Sequence, residues 1–169
     1  MRAVAVVLAV ILSSCGYHVG GQAALVPASV KNIAIPAFGN ATIRYKLTDH
    51  VPEALAREFI SRTKYRVVSS ESTADAVLRG TVISYTSSPT ILDPATSRAS
   101  GVELRVTMQV TLTERSSGKI LFSRPAMEIR ERYQIATDPA LYYEESEDAL
   151  KRASKEAARV VVSAILENF

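Results

Sequence analysis

The chain has 169 residues, with 20 basic side chains against 17 acidic ones, a formal charge of +3 and 47% hydrophobic residues. That balance is near the globular average and excludes a disordered chain as well as the strongly basic footprint of a nucleic-acid binder. One cysteine and two histidines, with no Gly-x-Ser-x-Gly elbow, phosphate loop or His-Glu-x-x-His helix, leave no disulfide framework and no metal, cofactor or catalytic constellation.

The single cysteine, Cys15, ends the string Leu12-Ser13-Ser14-Cys15, and ahead of it lie Arg2 and an unbroken apolar stretch at 3–12. A charged start followed by a short hydrophobic run is a secretory signal. The run is too short to span a bilayer as a helix, which takes about 20 residues. The leucine three positions before the cysteine, with two serines between, resembles the bacterial lipobox, in which the thiol is acylated and the preceding peptide removed. On that reading, residues 1–14 are the signal peptide, 15–29 an acylated lead and 30–169 one α+β domain. Loss of Arg2 leaves 19 basic residues against 17 acidic, a charge of +2. The competing reading is an ordinary signal cut at small residues, with Cys15 left as a free thiol in an oxidising compartment, a liability that acylation removes. In that lipoprotein class Gly16, standing where an aspartate retains proteins in the inner membrane, points to the outer membrane.

Residues 30–38 read as a first strand, with Ile33 and Ile35 on one face and Pro36 at its end or edge. Across 47–63 the residues Leu47, Val51, Ala54, Leu55 and Phe59 recur at helical spacing; Thr48 or Asp49 is placed to cap the start, and Pro52 to fall in the first turn. Two β-branched runs at 65–68 and 76–85 are strands separated by a polar stretch. From 102 to 113, Val102, Leu104, Val106, Met108, Val110 and Leu112 alternate without error with polar residues, which predicts a strand with one buried and one wet face. The chain turns at Ser116-Ser117-Gly118 and returns through Ile120 and Phe122, then Met127, Ile129 and Tyr133. The apolar phase switches from even to odd numbers, so a bulge is expected at 124–126 with Pro125 on an edge.

Thr137 or Asp138, followed by Pro139, introduces a final helix whose apolar stripe is Leu150, Ala153, Ala157, Val160, Val161, Ala164 and Ile165. Glu144, Glu145, Glu147 and Asp148 precede Lys151, Arg152 and Lys155, an order that complements the helix dipole and allows pairs three or four residues apart. The resulting order, β-α-β-β-β-β-α, predicts an α+β fold in which two helices pack on one face of a single, mainly antiparallel or mixed sheet. The one long irregular stretch, 87–101, contains Asp93, Ser97 and Arg98, and a stretch of that length in a compact domain is a natural place for a contact.

Two basic groups carry the remaining functional content. Arg57, Arg62, Lys64 and Arg66 crowd the end of the first helix and the strand after it; they either complement the helix dipole or offer a landing site for phosphate groups. Arg98 in the long loop, with Arg105, Arg130 and Arg132 on the wet face of the hairpin, forms the second group, which Glu103, Glu128 and Glu131 can neutralise across strands. His50 in the first turn of a helix reads as a surface or packing residue.

The lipobox, the string Cys15-Gly16-Tyr17-His18, the element order, the looser string Ala74-Asp75-Ala76-Val77-Leu78-Arg79-Gly80 and the closing Thr137-Asp138-Pro139-Ala140-Leu141-Tyr142-Tyr143 together resemble the lipopolysaccharide-assembly lipoprotein family, LptE. The resemblance covers the whole chain after the signal. It implies a protein that is not an enzyme, sits as a plug in a large outer-membrane β-barrel of the LptD type, assists its assembly and binds lipopolysaccharide, while the acyl anchor holds it to the inner leaflet of the outer membrane. The family's basic loop residue before the central hairpin has its counterpart in Arg98, whereas the basic residue expected ahead of the last helix's acidic run is Tyr143 here. The competing function is an outer-membrane lipoprotein that scaffolds another envelope secretion or fibre-assembly complex without a lipid ligand.

Overall fold

The computed structural model describes residues 26–27, 29–92, 99–135 and 139–167, the side chains of 139–145 and 167 excepted. The elements are β1 (Asn32–Ala34), β2 (Gly39–Asn40), α1 (Leu47–Arg62), β3 (Arg66–Val68), a 3-10 turn (Glu71–Thr73), β4 (Ala76–Leu92), β5 (Ala99–Glu114), β6 (Ile120–Gln134) and α2 (Pro139–Glu167). The six strands form one sheet ordered β3-β1-β4-β5-β6, with β2 also beside β4. β1 pairs in parallel with β3 and β4, and β2 in parallel with β4, whereas β4, β5 and β6 form an antiparallel meander. The sheet is therefore mixed, as the α+β reading requires, and α1 is the crossover between the parallel strands β1 and β3.

Perfect alternation in β5 puts Leu104, Val106, Val110 and Leu112 at no more than 1% exposure, against the two helices. The same core takes Ile33 from β1, Leu78 and Val82 from β4, Leu55 and Phe59 from α1, and Val161, Val162 and Ile165 from α2. On the opposite, open face Ala34, Ala74 and Val77 make a small satellite cluster with Val68.

Two bulges keep the apolar phase matched to this core. On β6, Met127 pairs with Met108 and Arg124 with Val110, so Pro125 and Ala126 together oppose Gln109. This is the predicted bulge at 124–126, and β6 is an edge strand, where a residue without an N–H is tolerated. On β4, Ile83 is the extra residue between Val82 and Ser84, so Tyr85 rather than an even-numbered residue lies opposite Val106.

Several sequence expectations change. The first strand spans only Asn32–Ala34, ending before Pro36, and the chain rejoins the sheet at Gly39. Helix α1 starts with Lys46 in the cap position and no side-chain cap, so neither Thr48 nor Asp49 serves; the carbonyls of Arg44, Tyr45 and Lys46 take the first amide protons instead. Pro52 is consequently in the second turn, and the Thr48 carbonyl that it leaves without an intrahelical donor accepts the N–H of Phe38 at 3.1 Å. Most of the predicted irregular stretch is strand: 87–92 belong to β4 and 99–101 to β5, with Ser87 opposite Leu104 and Ser88 opposite Glu103. Backbone pairing does not need apolar side chains, so polar composition concealed it. At the start of β6 it is Leu121 that is buried, and Ile120 is 60% exposed. In α2, Val160 turns partly outward while Ser154, Ala158 and Val162 are buried, because the helix packs on both α1 and β6 and needs a wider stripe. The proposed caps Thr137 and Asp138 lie outside the described residues.

Candidate functional site

The arginines of the hairpin come together as a ladder on the open face. Glu103 faces Arg132 across the β5–β6 pair, and Arg105 faces Arg130. Glu103 accepts from Arg105 Nη2 and from Arg132 Nε, each at 2.9 Å. Glu128 accepts from Arg130 Nε at 2.6 Å and lies 3.8 Å from Arg105 Nε. The two guanidinium groups held directly opposite one another are thus bridged by carboxylates rather than left to repel. The Arg105 hydrogen bond, then that of Arg132, holds the Glu103 carboxyl below the usual carboxylate range. Glu131 leaves the ladder and accepts from Arg152 Nε of α2 at 2.5 Å. Three arginines against two glutamates leave one net positive charge, and the Arg132 side chain, 78% exposed, is its most accessible donor. Arg98, Asp93, Ser97 and the lipidation candidate Cys15 all lie outside the described residues.

The group on and after α1 holds together only in part, with Arg57 set apart. Arg57 pairs with Glu53 one turn earlier at 2.5 Å and lines a separate groove with His50 and Lys151. Arg62 pairs with Glu58 at 3.1 Å and also donates to Ser163 Oγ of α2 at 2.8 Å. Lys64 lines a groove of about 880 Å3 with Arg62, Lys31, Val26 and Ile165, and Arg66 opens β3 beside it. This groove lies at the end of the molecule where Val26 leads into the fold, whereas the arginine ladder lies along the outer half of the hairpin.

Two arrangements had no usable sequence signal. Glu147, read as one acid of a dipole-matched run, bridges the helices instead: it accepts from Lys46 Nζ at 2.5 Å and lies 3.6 Å from His50 Nε2. The Lys46 hydrogen bond pulls the Glu147 carboxyl down, and the same bond raises the Lys46 ammonium. His50 is a packing residue on α1 whose Nδ1 is buried without a hydrogen-bond partner. Asp75 accepts the backbone N–H groups of Lys31 at 2.9 Å and Asn32 at 2.8 Å, fixing the start of β1 against the start of β4. Among the described residues no group of three or more His, Cys, Asp or Glu is placed to hold a metal ion, and no helix is long and apolar enough to cross a membrane.

The fold is shared with solved bacterial lipoproteins. A putative lipoprotein from Caulobacter crescentus superposes with a TM-score of 0.55 at 18% identity, covering 79% of this chain and 87% of its own. An uncharacterized lipoprotein B from Nitrosomonas europaea gives 0.55 at 16% identity, covering 89% and 90%. A minor lipoprotein from Acinetobacter baumannii gives 0.51 at 16% identity, covering 82% and 94%. At these identities the likeness establishes the fold alone. No curated protein matches the sequence. Residues 30–165, which include both helices up to the last turn and every strand, match the LptE family, described as lipopolysaccharide-assembly, and the chain belongs to that family.

Proposed function

We propose that the chain is an outer-membrane lipoprotein, acylated at Cys15, that seats in the lumen of a large LptD-type β-barrel, assists its assembly and takes part in moving lipopolysaccharide to the cell surface. Its role is binding and assembly, with no bond chemistry of its own. Beyond family membership, the observation that carries the reading is the open face of the sheet. There Thr81, Thr86, Thr107, Gln109, Thr111 and Thr113 lie beside the charge-paired arginine ladder. Lumens of large outer-membrane barrels are polar, and a plug needs this kind of outer surface around an apolar core that is already covered by its own helices. Lipopolysaccharide contact is assigned to Arg98 together with Arg105, Arg130 and Arg132, since planar guanidinium groups suit phosphate oxygens.

Copurification from detergent-solubilised outer membranes tests the plug role. A stoichiometric complex with a large translocon barrel is the expected result, and recovery with an unrelated partner, or only as a monomer, overturns it.

A further inference from the structure

The end of the molecule where Val26 leads into the fold gathers cations from several elements. Lys31 precedes β1, Arg62 closes α1, Lys64 lies between α1 and β3, and Arg66 opens β3. The Arg66 N–H donates to the Lys31 carbonyl at 2.8 Å, which holds those two residues side by side. Two acids close to them have partners of their own: Glu58 pairs with Arg62 at 3.1 Å, and Asp75 accepts from the backbone of Lys31 and Asn32. Lys64 and Arg66 have no ion pair among the described residues. Beside them the 880 Å3 groove has an apolar floor of Val26, Val30 and Ile165 under a rim of Arg62 and Lys64. An apolar floor under a cationic rim suits a boundary between headgroups and acyl chains.

We propose that this end is a docking surface for an anionic phospholipid bilayer, with Lys31, Arg62, Lys64 and Arg66 meeting headgroup phosphates. The occupant follows from charge and from the path of the chain. The inference rests on acylation at Cys15, from which 11 residues, Gly20 and Gly21 among them, lead to Val26. Even fully extended, 11 residues reach no further than about 40 Å. The anchor therefore keeps this end against the membrane, and the far end of the β4–β5 hairpin, about 50 Å away along the strands, clear of it. Each cation near an anionic surface strengthens attachment by roughly fivefold. The surface thus adds to the acyl chains, and it is separate from the lipopolysaccharide contact assigned to the hairpin.

Cosedimentation with vesicles decides the matter, using the chain from Gly16 onward, which keeps every described residue. Binding to phosphatidylglycerol-containing vesicles, weakening as salt is raised, and little binding to pure phosphatidylcholine vesicles are expected. The Lys64→Glu/Arg66→Glu double variant should lose more than about tenfold, and Lys155→Glu on the exposed face of α2 should bind like the parent chain. Should the double variant melt lower than the parent, Lys64→Gln/Arg66→Gln serves in its place. Equal binding to neutral vesicles, undiminished binding by the double variant, or an equal loss in Lys155→Glu overturns the proposal. Palmitate labelling of the full chain and of Cys15→Ala tests the anchor separately. A labelled protein that ignores anionic vesicles sinks the docking surface alone, and an unlabelled one that binds them sinks the anchor alone.

Discussion

The ring of Phe38 occupies the space in which a side chain at Gly80 would begin: a Cβ there would stand 2.2 Å from Phe38 Cε2. Phe38, which follows β1 and precedes β2, is buried, and its N–H donates to the Thr48 carbonyl. Gly80 is thus small because of what crosses over it. Gly80→Ala should lower stability by about 1–3 kcal/mol through overpacking, and Phe38→Ala by about 3–5 kcal/mol through the void it leaves. Urea denaturation of both singles and the double variant should show a combined loss smaller than their sum, because the two changes share one volume. Simple additivity would mean that the contact does not matter.

The two faces of β5 should differ sharply in their sensitivity to truncation. Leu104 is fully buried, so Leu104→Ala should cost about 2–5 kcal/mol. Gln109→Ala, five positions on and facing outward, should change stability by no more than about 0.5 kcal/mol in isolation. Thermal melts of the pair check the orientation of the sheet directly.

Acid sensitivity should reside partly in Asp75. The N–H of Lys31, then that of Asn32, holds its carboxyl below the usual range. A depressed folded value means that the unfolded chain binds the proton more readily. The stabilisation is therefore complete above the unfolded pKa of about 3.9 and is lost as pH falls through the folded value. Asp75→Asn should melt lower than the parent at neutral pH and show a flatter decline of Tm on acidification. Identical pH profiles would remove Asp75 from the acid transition.

The ladder makes a prediction of unusual sign. Glu103 neutralises Arg132 and shares Arg105 with Glu128, so Glu103→Gln should free Arg132, leave Arg105 with Glu128 alone and tighten lipopolysaccharide binding, whereas Arg98→Ala should weaken it. Titration of the chain from Gly16 onward with lipopolysaccharide at fixed salt measures both. If Glu103→Gln binds no better and Arg98→Ala no worse, the contact lies away from the outer hairpin.

Much of the fold was legible because hydrophobic period reports which face is buried. Strand β5 could be read without ambiguity from its strict alternation, and the bulge at Pro125 from a phase switch that a regular strand cannot accommodate. The outer half of the β4–β5 hairpin was not legible, since Thr86, Ser87 and Ser88 pair through backbone groups that carry no side-chain signature. Helix α1 was located correctly but capped wrongly, because carbonyls of the preceding turn did what a Thr or Asp side chain was expected to do.

By itself the sequence determined the class of fold, the apolar stripes, the lipobox-like start and the family, all of which rest on local order and spacing. Only the tertiary structure decided which charges meet. It dispersed Arg57 from Lys64 and Arg66, bridged Arg105 and Arg130 through Glu128, and sent Glu147 across to Lys46, a residue 101 positions away. Coulombic and hydrogen-bonded partners are chosen by distance in space, and a crossover helix and a meander bring together residues that spacing along the chain keeps apart.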